Sequence, residues 1–261
     1  KKEILSFIES TNELFKLAES KGVMLVFEAA VAGGIPIVKS LREGLAANKI
    51  EWIAGIINGT TNYILSEMQT KRVGFEVALN GAMERGYAEQ DPTFDIEGID
   101  SAHKLAIMAS LAFGIKLQFK KIFCEGITGL EIKDIEYAEK FGYKIKLLGI
   151  AKRRNSGIEL RVHPCLVPEN SVIANINGAM NGVLVHGDAV GPTLHYGAGA
   201  GGEATASAVL ADVIDVSRLH MASSDHYVPY TAYRGKTTTV PVLSIDEIKT
   251  SYYLRVKVKD Q

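Results

Sequence analysis

The sequence predicts a mixed α/β chain of the α+β kind, with a mixed, partly antiparallel sheet covered by helices. Runs with apolar residues three and four apart alternate with short β-branched runs, so helices and strands interleave along the chain. The turn signal Asn155-Ser156-Gly157 joins two strand-like runs into a hairpin, which puts antiparallel pairing between the helical blocks. With 261 residues, 47% of them hydrophobic, the chain can bury the core of one large domain or two modest ones.

In order, an amphipathic pattern (Ile4, Leu5, Ile8, Leu14, Phe15, Leu17) predicts a helix over about 3–20. Gly22 ends it, and "VMLVFEAAV" reads as a strand with Glu28 near its end. The punctuation "AGGIP" precedes a helix over 37–47. "IEWIAGIIN" is the next strand, and Asn58-Gly59-Thr60-Thr61 turns into a helix with Thr60 or Thr61 as N-cap. Helices continue to about 113, with one more near 131–141. "YKIKLLGIAKR" and "GIELRVHPCLV" form the hairpin, "GVLVHGD" and "PTLHYG" add short strands, and a glycine cluster opens the helix "EATASAVLADVIDV". Beyond 222 the chain is polar and reads as a linker over 222–250, leading to the alternating strand "YYLRVKVKDQ". The chain opens inside a helical pattern and stops inside a strand pattern, as a fragment does.

Net charge is −1 with both signs interspersed, so nothing points to nucleic acid or an anionic membrane surface, and small partners are expected. Two cysteines, Cys124 and Cys165, lie far apart outside any metal or disulfide spacing, which favours a reducing cytoplasm. No apolar run reaches the roughly 18 residues that span a bilayer. The six histidines stand apart from any ligand partner and read as structural or surface groups.

The stretch "YAEQDPTFDIEGIDSAHKLAIM" gathers Glu89, Asp91, Asp95, Glu97 and Asp100 ahead of a single Lys104. Asp100 and Lys104 are four apart at the start of an apolar helix and share a face. A surface ion pair, worth a few tenths of a kcal/mol, is the commoner meaning of that spacing. Ala102, Ala106 and Ala109 favour the other meaning, because a small helix surface leaves room for a ligand. A lysine held by an aspartate among further carboxylates can bind an ammonium and give a proton to an oxygen.

"GYAEQDPTFDIEGIDSAHK" resembles the signature of the homoserine dehydrogenases, and "FEAAVAGGIPI", "IINGTTNYIL" and "GAGAGGEATASAVLADV" resemble that family's other blocks in the same order, over about residues 10–220. The resemblance implies an NAD(P)-dependent interconversion of L-aspartate 4-semialdehyde and L-homoserine, in threonine, methionine and isoleucine biosynthesis. It makes Lys104 the catalytic proton donor and Asp100 the carboxylate that orients it. It gives Glu89 and Asp95 the substrate's ammonium and reacting hydroxyl side, and places Gly59 and Thr60 near the substrate. It makes Gly201 a cofactor contact, although "GAGAGG" is also a G-x-G-x-x-G string; too little α/β chain follows it for a dinucleotide-binding sheet. A monovalent cation, usually sodium, would take the Glu28 carboxylate and the carbonyls of Val31, Gly33 and Ile35. On residues alone, Gly33-Gly34 also suits a βα turn that needs φ > 0.

The resemblance divides the chain into 1–30, a remnant of a Rossmann-type nucleotide-binding domain; 31–221, the substrate-binding, catalytic and dimerisation domain; the 222–250 linker; and 251–261, the first strand of an ACT regulatory domain. The family's Gly-rich βα turn and cofactor-side lysine do not occur in the sequence, so the choice between NAD and NADP is not encoded here. A homodimer is expected, because the outward faces of 143–167 and 181–187 are hard to cover with the helices available. The rival reading is a non-catalytic oligomerisation or amino-acid-sensing module. Keeping Glu89, Asp95, Asp100 and Lys104 together argues against it, since like charges are costly to cluster.

Overall fold

The computed structural model describes residues 8–222, 238–256 and 258. Its strands are β1 (Ile50–Ile56), β2 (Phe123–Cys124), β3 (Tyr143–Arg153), β4 (Ile158–Pro168), β5 (Met180–Gly187) and β6 (Gly191–Ala198). They form one sheet in the order β2-β4-β3-β1-β5-β6. Every pairing is antiparallel except the short β2–β4 contact. The helices are α1 (Ile8–Lys21), α2 (Ile37–Lys39), α3 (Gly59–Lys71), α4 (Phe75–Glu84), α5 (Thr93–Ile96), α6 (Ile99–Phe113), α7 (Ile132–Lys140) and α8 (Gly202–Ala222). None is long and apolar enough to cross a membrane among the described residues.

The hairpin predicted at Asn155-Ser156-Gly157 is formed. Arg154 N donates to Gly157 O at 2.8 Å, and β3 and β4 pair without interruption from Tyr143↔Pro168 to Arg153↔Ile158. β1 lies between β3 and β5, with Ile53 opposite both Ala151 and Val185. One sheet face buries Ile53, Ile57, Leu147, Ala151, Val183 and Val185 in the same core as Leu105, Met108 and Ala109 of α6. Gly149 permits the close approach: a Cβ there would stand 3.0 Å from Ile57 Cδ1 and 3.5 Å from Leu105 Cδ1. A smaller cluster on Ile56, Leu148, Val167, Ile173 and Ile176 forms a second core.

Several expectations are corrected. Residues 23–27 form no strand, and Glu28–Ala30 is a 3-10 turn, so Glu28 does not end a strand. No described strand pairs with that run; Phe27 instead packs on Phe15 of α1, ring centroids 5.6 Å apart. The helix expected to reach residue 47 closes early, with a π turn over Ser40–Gly44 after α2. The alanines expected to leave ligand space do the opposite: Ala102, Ala106 and Ala109 are buried in the core. Residues 238–250 are more than a tether, since Val242, Leu243 and Ile248 are buried and Val242 bridges to Ile158. Residues 251–256 enter no ladder and are held by side chains, Tyr253 and Arg255 reaching Asp134 of α7 at 3.0 and 2.9 Å. The expected helix start before Ile8, the linker over 223–237, and residues 257 and 259–261 of the expected final strand lie outside the described residues.

Candidate active site

The site begins where β1 ends. Asn58, with extended φ, is the N-cap of α3, and its Oδ1 accepts the Thr61 N–H at 2.8 Å. The cap is therefore Asn58 rather than Thr60 or Thr61. With its oxygen committed to the helix, its Nδ2 donates to Asp95 Oδ1 at 2.7 Å and to Asp100 Oδ2 at 3.0 Å. Two residues on, Thr60 Oγ1 donates to Tyr87 O at 2.6 Å and lies 3.3 Å from Asp95 Oδ2. Gly59, between them, is where a Cβ would meet Ala179 O at 2.7 Å, so the helix can start against that backbone only with glycine.

Asp95 lies in α5 and Asp100 in the first turn of α6, where a carboxylate is favoured by the helix dipole. One turn further, Lys104 Nζ donates to Asp100 Oδ2 at 2.5 Å and to Ile57 O at 2.9 Å. The pair is not on the surface: the Lys104 and Asp100 side chains are 12% and 13% exposed. An ammonium has three N–H bonds. Two are used, by Asp100 and Ile57, and no acceptor for the third is found among the described residues. Burial raises the Asp95 carboxyl above its ordinary value, an effect opposed by the Asn58 hydrogen bond, reinforced by the Asp100 charge and opposed again by Lys104.

Lys104, Asp100, Asp95 and Thr60 are thus brought into one cluster with Asn58 as its hub, and Gly59 starts the helix that carries it. Glu89 lies in the preceding loop, exposed and outside the cluster's hydrogen bonds. His103 packs edge-on to Phe94 and Phe119 and is buried, which lowers its pKa. It is structural.

The second set of predicted residues meets at the two glycine segments. A Cβ on Gly33 would stand 2.5 Å from Gly199 O, so the 31–35 turn lies directly on the loop between β6 and α8. Ala32 and Gly33 both have left-handed φ, 53° and 55°. Glu28 is buried, and its carboxylate accepts Val38 N at 2.9 Å and Lys39 N at 2.7 Å; burial raises its pKa despite those bonds. Among the described residues no N–H donates to the buried carbonyls of Val31 and Gly33, while Ile35 O accepts Ile37 N at 2.8 Å. Gly201, φ 121°, is exposed with open space where a Cβ would stand. Asn181, not singled out in the sequence, lies beneath the crossing: it is 1% exposed, and a Cβ on Gly199 would fall 2.0 Å from its Nδ2.

The family model for homoserine dehydrogenase matches residues 36–214. The homoserine dehydrogenase of Pseudomonas aeruginosa is 56% identical over 250 residues, covering 95% of this chain and 58% of the relative. A crystal structure of a homoserine dehydrogenase from Thiobacillus denitrificans superposes with TM-score 0.89 at 60% identity, over 92% of this chain and 56% of that one. A hyperthermophilic archaeal homoserine dehydrogenase mutant in complex with NADPH has TM-score 0.69 at 25% identity, over 81% of this chain and 61% of its own. The chain spans somewhat more than half the length of these relatives. On a family match that contains the whole Asn58–Asp95–Asp100–Lys104 cluster, this chain belongs to the homoserine dehydrogenase family.

Proposed function

We propose that this chain carries the substrate site and the dimer contact of an NAD(P)-dependent homoserine dehydrogenase, an oxidoreductase of amino-acid biosynthesis working in the cytoplasm on L-aspartate 4-semialdehyde and L-homoserine. The observation that carries the reading is the Lys104 ammonium, fixed by Asp100 and Ile57 O yet left with one unspent N–H. That proton is positioned for a carbonyl oxygen. In the reductive direction Lys104 transfers it to the aldehyde oxygen, which becomes the hydroxyl, while the carbonyl carbon gains a hydride. Asp100 keeps the lysine aimed; Asp95, with Glu89, takes the substrate ammonium.

Bound NADPH or NADH supplies the hydride. Open space at Gly201 suits the close approach of such a group to backbone, and the archaeal neighbour is complexed with NADPH. A sodium ion fits the Glu28 carboxylate and the carbonyls of Val31, Gly33 and Ile35, because these are hard oxygens and two of the buried carbonyls have no N–H donor among the described residues. It would hold the 31–35 turn in place against Gly199.

A homodimer is supported by the sheet face opposite the main core. Ala54, Ile150, Leu184 and Leu194 lie in one cross-strand row there, Tyr196 is 57% exposed beside it, and Trp52 stacks on His186. A monomer by sedimentation at micromolar concentration contradicts it.

The substrate reading is tested by titrating L-homoserine into the 261-residue chain and following binding by NMR. Saturable binding that is weakened by Asp95→Asn and by Lys104→Met is expected. No binding at millimolar concentration by a folded chain overturns the reading.

A further inference from the structure

Lys146 of β3 is 1% exposed, and none of its described hydrogen-bond partners is a carboxylate. Its Nζ donates to Ile176 O at 2.6 Å, Asn62 Oδ1 at 3.1 Å and Asn177 Oδ1 at 3.1 Å, which uses all three N–H bonds. Asn62, also 1% exposed, turns its Nδ2 to the carbonyls of Ile176, Gly178 and Met180 at 3.1, 2.9 and 3.1 Å. Ser66, one turn on, accepts the Gly178 N–H at 3.1 Å and donates to Asn62 O at 2.7 Å. One lysine and one asparagine therefore fasten the 176–180 segment to α3.

That segment is what the site's helix rests on. Ala179 O occupies the place a Cβ on Gly59 would need, and Asn62 N bonds Asn58 O at 3.3 Å one turn below. Packing alone does not require a charge here, and burying one without a counter-ion is costly. Burial, with the charge of Lys144 adding to it, lowers the lysine's pKa to about 8.

We propose that Lys146 is a positioning residue for the site: through Asn62 and the 176–180 segment its ammonium sets where the first turn of α3 presents Asn58 and Thr60 to Asp95. The proposal rests on the cluster being the substrate site, but its first test needs no ligand. Asp95 senses the Asn58 amide directly, so the titration of its side-chain carboxyl carbon reports the position of α3.

In Lys146→Met, a near-isosteric apolar change, the Asp95 titration moves to higher pH because the Asn58 hydrogen bond that lowers it is weakened. L-homoserine then binds about tenfold more weakly or worse, the scale of a small misplacement at a site. If Lys146→Met loses thermal stability but keeps the wild-type Asp95 titration, the lysine is only structural and the proposal is overturned. Should that variant not fold, Asn177→Ala removes one acceptor at an exposed position, and the same upward movement of Asp95, smaller in size, is expected; an unmoved Asp95 there overturns the proposal. Failure of the wild-type chain to bind L-homoserine would count against the substrate reading, while the Asp95 result still decides the role of Lys146.

Discussion

The ammonium nitrogen of Lys104 lies 2.9 Å from the carbonyl oxygen of Ile57, so the lysine of one helix is held by the residue just past β1 as well as by its own helix. An i,i+4 partner alone would let a long side chain swing with the helix surface. The Ile57 contact ties it to the residue that follows β1, an interior strand of the sheet.

This double grip ranks two substitutions. In the whole enzyme, Asp100→Ala leaves Ile57 O to hold Lys104 and lowers turnover less than Lys104→Ala does. Steady-state kinetics of the two variants, measured side by side, gives the order.

The crossing of the glycine segments makes a second prediction. Gly33→Ala forces a Cβ to 2.5 Å from Gly199 O at a φ of +55°. It should destabilise the chain by about 2–5 kcal/mol, backbone strain and overpacking together. Gly22→Ala shares the left-handed φ, +62°, but meets open space, so only the strain of about 1–2 kcal/mol remains. Urea unfolding of both variants separates the two contributions; equal losses contradict the tight crossing.

Stability should also depend on pH through Lys146. Folded Lys146 releases its proton near pH 8 and the unfolded lysine near 10.5, so between those values the unfolded chain binds more protons and this group makes stability rise with pH. The buried Cys165 thiol works the other way. Its pKa is pushed up to about 12 from 9, so it costs stability as pH climbs above 9. The difference between wild type and Lys146→Met isolates the lysine: the wild type should gain on the variant from pH 8 upward, and parallel curves contradict the assignment.

Asp134 ties the 251–256 segment to α7. Its Oδ2 accepts Glu131 N at 2.9 Å in a capping box, and its Oδ1 accepts Tyr253 OH and Arg255 Nε. Asp134→Ala should cost about 1–2 kcal/mol, the range for losing a helix cap, and should speed tryptic cleavage after Arg255. An unchanged cleavage rate means the segment is not held there.

Much of this was legible in the sequence wherever a local rule sufficed. The Asn155-Ser156-Gly157 turn fixes the hairpin because its chemistry is contained in three residues. Asp100 and Lys104 are joined by helical spacing. Tertiary choices were harder to read. "VMLVFEAAV" has strand composition but no partner among the described strands, so its apolar residues pack as a coil and a 3-10 turn. Ala102, Ala106 and Ala109 are small for close helix–sheet packing, which a sequence cannot tell from space for a ligand. The role of Asn58 was also concealed: its capping oxygen is a local signal, but the amide's reach to Asp95 and Asp100 spans 37 and 42 residues. Lys146 and Asn181 stand in strands with no motif around them.

The most direct test of the account is the turnover of Lys104→Ala in the whole enzyme, measured beside its substrate affinity. If Lys104 gives its proton to the carbonyl oxygen, kcat falls by roughly 100-fold or more, binding suffers less, and Lys104→Arg restores little because a guanidinium keeps its proton near neutral pH. If Lys104→Ala keeps most of the wild-type turnover, Lys104 is a structural ion-pair partner and the catalytic assignment is wrong.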